Sequence, residues 1–300
     1  MNSEKARKRK ERLYRWKTYG EGYLFMLPWL IGFAVFMAYP VVWSFTLSFL
    51  KVRLKGGYFD YAWNGLNNYR DALFKDNVYP IELIVYFQEV LLMIPLIVIF
   101  ALMVALLLNH RFPGRMWFRA VFFLPVIFAT GQVLAELFRQ QTGELPFLGQ
   151  YENLDEMILQ AAGPQFGGAL VNVIGRGVLI LWYSGVQILI FIAGFQTVPK
   201  TIYEAVRIDG ASPWTSFWKI TLPASAPFIG LNVVYTIVDL FTFPFNPVMA
   251  AIRSTMFLPD FGYGYASAQA WIYFMLILVL IGLSLWFVGR SFRRERGMGA

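Results

Sequence analysis

The side chains able to do chemistry in this 300-residue chain are few. It has no cysteine, so thiol catalysis, disulfides and cysteine metal sites are absent. His110 is the only histidine and cannot build a multi-histidine metal centre. No G-x-x-x-x-G-K-[ST] stretch occurs, so there is no phosphate loop of that kind. What remains is ionisable and polar residues placed within apolar runs. Asp239, in YTIVDLFTFPF, is the most interior, and Glu89, in VYFQEVLL, lies roughly two helical turns inside another run. A charge at such depth is costly and marks a functional candidate, with a structural pair as the plainer alternative. One polar island also stands out: residues 201–223, TIYEAVRIDGASPWTSFWKITLP, lie between two long apolar runs.

The elements that must position these residues are membrane helices. Hydrophobic residues make up 58% of the chain and charged ones only 15%, well below the roughly 25% of soluble domains. The charge-free runs 22–50, 90–109, 177–199, 220–238 and 261–289 are each about long enough to span a bilayer, which takes roughly 20 apolar residues. A shorter run, 120–135, spans if Glu136 reaches the far interface. The runs are continuous, not alternating, which excludes a β-barrel. The reading is an all-α membrane protein with six transmembrane helices, at about 22–50, 82–109, 120–138, 169–195, 224–251 and 266–289. Its domains are a basic segment 1–21, a permeation domain 22–289 containing the loop 199–223, and a basic tail 290–300. The first run is too long for a cleaved signal peptide. Glu82, Glu136, Arg139 and Arg176 read as interface residues, as do Trp271 and Tyr273.

The formal net charge of +8 is unevenly spread. Of 26 Lys and Arg, eight lie in 1–20, three in 109–119 (Arg111, Arg115, Arg119), three in the polar island and its start (Lys200, Arg207, Lys219), and four in the tail (Arg290, Arg293, Arg294, Arg296). By the positive-inside rule both termini and the island are cytoplasmic. The run EKARKRKER is then a topology determinant facing the membrane, not a nucleic-acid site.

Within the island, Thr201-Ile202-Tyr203-Glu204 fits a capping box at a helix start. Ile202, Ala205 and Val206 follow on one face, and Asp209-Gly210 supplies a stop. Ser212 then serves as N-cap with Pro213 at the first helical position. Trp214, Phe217 and Trp218 form the apolar face of this second helix, which ends at Leu222-Pro223 before the fifth span. Two short helices joined at a Gly elbow, with a face too aromatic to leave in water, rest either on lipid headgroups or on a partner protein.

YEAVRIDGASPWTSFWKITLP resembles the E-A-A loop of the membrane subunits of binding-protein-dependent ABC importers, with Glu204-Ala205, Asp209-Gly210-Ala211 and Ile220-x-Leu222-Pro223 at that motif's spacing. Val206 replaces the usual second alanine. The similarity is greatest to the carbohydrate-uptake branch and covers about 22–289: LPWLIGFAVFMAYPVVWSFTLSF (27–49), GLNNY (65–69), FRAVFFLP (118–125) and LIFIAGFQTVPKTIYEA (189–205) all resemble its segments. Two stretches depart from it. The G-G-P segment after the fifth span is replaced by FNPVMAAIRSTMFLPDFGYGYASA, which keeps only a final Gly-Tyr-x-Ser/Ala pattern, and the segment 139–168 is atypical.

The resemblance implies a type I importer permease of a bacterial or archaeal cell membrane, not itself an enzyme. It implies a loop that docks in a cleft of an ATPase subunit, through Tyr203, Glu204, Ala205, Arg207, Asp209, Gly210, Ala211, Trp214 and Phe217. It implies as partners a second homologous permease, two ATP-binding subunits, an extracytoplasmic solute-binding protein and the surrounding lipid, with ATP and Mg handled by the ATPase chains and no cofactor on this one. If the solute is a sugar, aromatic faces suit its C–H surfaces, and amides or carboxylates suit its hydroxyls. Trp182, Tyr183 and Gln187 on the fourth span and Asn232, Tyr235 and Asp239 on one face of the fifth are then the candidates for the pathway. The competing class is a stand-alone secondary transporter or channel. Six spans without an inverted repeat and few mid-membrane charges argue against it.

Overall fold

The computed structural model describes residues 19–55, 58–110, 112–128, 154–163, 167–168, 170–171, 177–243, 246–258 and 262–297. In chain order these form α1 (Tyr19–Ser48), β1 (Leu50–Lys55), β2 (Tyr58–Trp63), α2 (Asn67–Phe74), α3 (Tyr79–Asn109), α4 (Arg115–Phe128), α5 (Leu154–Ala162), α6 (Gly177–Gln196), α7 (Lys200–Ile208), α8 (Pro213–Phe241), α9 (Pro247–Thr255) and α10 (Gly262–Gly297). Among the described residues α1, α3, α8 and α10 as far as Arg290 are long and apolar enough to cross a membrane. A fifth span follows if the bent pair Ile180–Gln196 and Lys200–Ile208 is counted. The third expected span begins as α4, and residues 129–138 lie outside the described ones. The same holds for 169 and 172–176 at the start of the fourth, and for most of 139–168 apart from α5.

The chain packs as two compact units. The first, residues 1–72 with 254–271, departs from an all-α reading. Beyond α1 the sequence alternates, Leu50-Lys51-Val52-Arg53, and β1 pairs antiparallel with β2, Leu50 opposite Trp63 and Val52 opposite Tyr61. Alternation of this kind is a strand signature, and the Gly56-Gly57 pair that follows is a hairpin signal. The GLNNY element fastens the hairpin's root. Gly65 takes φ 55°, and the Asn68 amide donates to the carbonyls of Ser48 (2.8 Å) and Leu50 (2.9 Å). Ser48 and Tyr69 share a hydroxyl bond of 2.6 Å. The Gly-Tyr-x-Ser/Ala pattern has an equally local cause: a Cβ on Gly264 would sit 1.9 Å from the Leu50 carbonyl oxygen, so only glycine lets the start of α10 approach β1. Trp271 donates to Ser44 Oγ (3.1 Å) and packs edge-on against Phe45.

The second unit, 73–253 with 272–300, is a helical bundle in which α6 packs against α3, α4 and α8. Its core holds Tyr86, Val90, Ile97 and Ala101 of α3, Ile188 and Phe191 of α6, and Ile237, Leu240 and Phe241 of α8. Small residues permit close approach: a Cβ on Gly194 would lie 2.5 Å from the ring of Phe228. The fifth expected span is displaced towards the N-terminus. It begins at Pro213, not Ala224, and stops at Phe241, after which Asn246 caps the separate helix α9 by accepting from the N–H of Val248 (2.9 Å) and Met249 (3.3 Å). The freed carbonyls at the end of α8 are taken by hydroxyls: Tyr86 donates to Leu240 O (2.6 Å) and Tyr273 to Phe241 O (2.8 Å). Tyr273 is therefore a buried structural group, not the interface residue its position suggested.

Candidate functional site: the α6–α8 loop and the polar seam above it

Lys200 opens α7 at a bend of 66° from the axis of Ile180–Gln196. The residue before it, Pro199, is extended (φ −59°, ψ 137°) and stands at the N-cap, its carbonyl accepting from Ile202 N (3.2 Å). Thr201 is thus already inside the helix, and no side chain caps its start, so the expected capping box does not form. The reason is steric. Pro199 has a fixed φ and starts the helix two residues before Thr201, which leaves Glu204 two positions past the place from which a capping box reaches back, and the proline at the N-cap has no N–H for it to meet.

The other end forms as the residues dictate. Gly210 has φ 77°, its N–H bonds Arg207 O (3.1 Å), and the Ala211 N–H bonds Val206 O (3.1 Å). This pair of bonds is a Schellman motif, which needs the left-handed conformation that glycine alone adopts at no steric cost. Asp209 is the C-cap. Ser212 then opens α8 with an extended backbone, its hydroxyl accepting from Thr215 N (3.2 Å), and Pro213 stands at the first turn.

No residue of α7 is buried. Glu204, Ala205, Arg207 and Asp209 are exposed, as is Ile202, and Ile208 is 86% exposed. Across the elbow Trp214, Phe217 and Trp218 form a cluster of mutually touching rings with centroids 5.2 to 6.2 Å apart. Trp214 is 70% exposed even so. Ala211 and Tyr203 are half-buried, and the Tyr203 hydroxyl lies 3.1 Å from Thr221 Oγ1. The loop is therefore a locally folded surface that presents an apolar and charged face to whatever lies against it.

Leu222-Pro223 does not end the second helix. The helix runs on through a π-turn, Phe217–Thr221, in which Leu222 N–H reaches back to Phe217 O. The same device occurs in α1, where Ala34–Ala38 is a π-turn and Tyr39 N–H bonds Ala34 O, just before Pro40. A proline ring inside a helix strikes the carbonyl four residues back and has no N–H to offer it. Widening the preceding turn by one residue moves that carbonyl aside, so the helix bends without breaking.

The intramembrane candidates divide. Gln187 and Asn232 are fully buried and Tyr183 nearly so, whereas Trp182, Tyr235 and Asp239 are half-buried. Gln187 of α6 donates to Thr236 Oγ1 of α8 (3.2 Å), and its side chain lies within interaction range of the Asp239 carboxylate. Tyr235 lies one turn before that carboxylate and within its electrostatic reach. Thr236 was not singled out in the sequence, and only its place one turn after Asn232 hinted at it. Tyr183 packs edge-on against Phe243 at the end of α8. Among the described residues neither polar atom of Asn232 has a hydrogen-bond partner, nor does Gln187 Oε1. A seam of amide, hydroxyl and carboxylate groups thus runs along the α6–α8 contact, with bonding capacity unspent.

Comparison with known proteins agrees with this geometry. Residues 81–294 match the model of the binding-protein-dependent transport system inner membrane component family. The chain is 34% identical to "Probable ABC transporter permease protein YesP" of Bacillus subtilis over 73% of its own length and 70% of that protein's. It is 33% identical to the arabinooligosaccharides transport system permease protein AraP of the same organism, over 68% of this chain and 64% of that one. It is 30% identical to the trehalose/maltose transport system permease protein MalF of Thermococcus litoralis, over 73% and 72%. In structure it resembles a chain of a bacterial ABC transporter that imports the acidic polysaccharide alginate, with a TM-score of 0.63 and 18% identity over 93% of this chain and 99% of that one. A multi-pass helical bundle, an exposed loop between α6 and α8 and a family match over most of the chain point the same way: the protein belongs to the binding-protein-dependent transport system inner membrane components, the permease family of ABC importers.

Proposed function

We propose that this chain is one permease subunit of an ATP-driven importer that takes a sugar or oligosaccharide from an extracytoplasmic binding protein into the cell. The observation that carries the reading is the α7 elbow: an amphipathic helix with no buried residue, standing at 66° to α6, closed by a Schellman turn and joined by it directly to the start of α8. Such a piece suits insertion into a cleft of a partner and transmission of rigid-body movement to two spans. Glu204, Arg207, Trp214 and Phe217 supply charged and aromatic anchors of the kind that dominate interfaces. ATP and Mg belong to two separate ATPase subunits. A second, homologous permease completes the pathway, and ATP binding swings the spans between inward- and outward-facing arrangements.

In this reading the chain crosses the membrane six times with both termini and the loop cytoplasmic, an orientation that the placement of Lys and Arg supports. Relatives named for arabinooligosaccharides and for trehalose and maltose support a saccharide as solute. A structural neighbour solved with an alginate pentasaccharide-bound periplasmic protein supports delivery by a binding protein. The seam of Gln187, Asn232, Tyr235 and Asp239, with Trp182 and Tyr183 nearby, supplies the mixture of amides, carboxylate and aromatic faces that sugar hydroxyls and ring faces call for. Affinity purification of the chain from its own membranes in mild detergent tests the assembly. Two ATPase copies and one related permease at near-equal abundance are expected; a lone chain or homo-oligomer would instead favour an ion-driven carrier.

A further inference from the structure

The proposed docking of α7 raises a mechanical question. α7 is joined to α6 through residues 197–199 at a sharp bend and to α8 through Gly210 and Ala211, so its two covalent attachments are both elbows. Elbows alone would let the helix swing without moving a span. One contact prevents this. Tyr203, on the half-buried side of α7, meets Thr221 at the last position of the π-turn, 3.1 Å hydroxyl to hydroxyl, and no other side-chain hydrogen bond joins α7 to α8 among the described residues. Thr221 is buried, and its hydroxyl also lies 3.4 Å from Ser216 O, the carbonyl that opens the widened turn. Each hydroxyl has a single proton, and the carbonyl can only accept. The polarity is therefore set: Tyr203 donates to Thr221, and Thr221 donates to Ser216 O.

We propose that Tyr203 and Thr221 are positioning residues that brace α7 against the π-turn at the base of α8, so that the two helices move as one lever. The inference deepens the docking reading above and rests on it for its function. The brace closes a triangle: α7, the Gly210 elbow and the first turns of α8 form two sides and a corner, and the hydroxyl pair is the strut. It is placed where a strut acts best, because the π-turn is the one point at which this part of α8 has a turn wider than its neighbours. A single hydroxyl pair of this type contributes only modestly to stability. That is too little for insertion of the protein to depend on it, but enough to decide whether a surface helix follows its neighbour.

Because the chain has no cysteine, spin labels can be placed at will. Labels at Thr201→Cys on α7 and Thr242→Cys just beyond α8, both exposed, report on the lever directly by pulsed-EPR distance measurement in the purified complex with its ATPase subunits, before and after trapping with MgATP and vanadate. The brace predicts a single narrow distance that trapping leaves unchanged. Thr221→Val broadens the distribution at least twofold and makes it respond to nucleotide, while Thr221→Ser, which keeps the hydroxyl, restores the narrow one. Equal widths in all three proteins would overturn the brace, as would a broad distribution in the unaltered one. Co-purification of the ATPase with Gly210→Val decides the docking reading separately. If the ATPase is retained there at full level, docking through the elbow fails whatever the distances show; if it is lost there and kept in Thr221→Val, docking stands and the distances judge the brace alone.

Discussion

The loop from Lys200 to Thr221 and the seam between α6 and α8 treat polar groups in opposite ways. In the loop almost every bond is made within a few residues: Gly210 to Arg207, Ala211 to Val206, Thr215 to Ser212. Its side chains are left outside, Ile208 and Trp214 among the most exposed apolar groups of the chain. In the seam Gln187 finds Thr236 across 49 positions, its surroundings are closed, and Asn232 has both polar atoms buried and unmatched among the described residues. A buried amide without a partner costs about 1–3 kcal/mol. A region that keeps such a cost while another spends its bonding capacity locally is one whose groups answer to something other than folding. The loop is built to hold a shape, and the seam to keep polar capacity available.

The widest separation between the two regions should come from Gly210. Valine at φ 77° cannot hold the Schellman turn without strain, on the order of 1–2 kcal/mol for the left-handed conformation alone and more for a β-branched residue. In an isolated surface loop that strain is relieved by refolding the turn, so the chain inserts normally while the elbow is lost. Gly210→Val is expected to reduce ATPase co-purification and solute uptake to background at normal membrane abundance, and Glu204→Lys to do the same through charge reversal. Quantitative pull-down with an uptake assay is the check, and normal coupling in both would remove the distinction drawn for the loop.

The seam should respond in transport before it responds in assembly. Replacing Tyr235 by Phe and Asp239 by Leu together leaves α7 and its surroundings untouched, so ATPase association is expected to stay at its normal level while uptake falls at least tenfold. Unchanged uptake with unchanged preference among saccharides would show the seam to be a structural pairing only.

Asn232 sharpens the same contrast with a smaller effect of opposite sign. An apolar side chain of similar volume in place of an unmatched buried amide removes a desolvation cost, and Asn232→Leu is expected to stabilise the purified protein by about 1 kcal/mol. Uptake is expected to fall at the same time. A thermal melt in detergent read beside uptake separates the two quantities; loss of stability would mean that the Asn232 amide contributes to folding and is not held in reserve.

What the sequence disclosed follows the same division. The Gly210 turn and the Ser212-Pro213 start were legible because each is fixed by one residue's backbone preference and closed within three or four positions. The start of α7 was misread although equally local, because Thr201 and Glu204 satisfied a capping pattern while Pro199, two residues earlier, had already begun the helix. The hairpin after α1 carried its own signal in Leu50-Lys51-Val52-Arg53, concealed by the expectation that a chain so apolar is helical throughout. The end of α8 was hidden for a related reason: hydropathy runs on through Phe241 to Ala251, and only Pro244, Asn246 and Pro247 mark the break. Both π-turns precede a proline, a signal available in the sequence but readable only once a helix is known to continue. The seam's partners were not legible at all beyond the faces of single helices. Which residue of α6 meets Thr236 is set by the crossing of two helices, and no local pattern encodes it.

The smallest effect tests whether the loop's shape is as locally held as its bonds suggest. Ser212 caps α8 by accepting from Thr215 N, with its hydroxyl also 3.0 Å from Thr215 Oγ1. Ser212→Ala removes that cap, worth about 1 kcal/mol, together with the hydroxyl contact to Thr215, and disturbs no packing, since the residue is exposed. If the loop holds itself, that loss falls on the first turn of α8 alone. Amide exchange should quicken roughly fivefold for residues 214–216, the factor that about 1 kcal/mol implies, with no change at α7 or in the seam. ATPase co-purification should drop only slightly, because the Gly210 turn and the Tyr203–Thr221 contact remain in place. Faster exchange spreading to 200–208 would show that the elbow is held from α8 rather than by its own bonds. The contrast between a self-sufficient loop and a partner-dependent seam would then have to be redrawn as one continuous unit from Lys200 to Phe241.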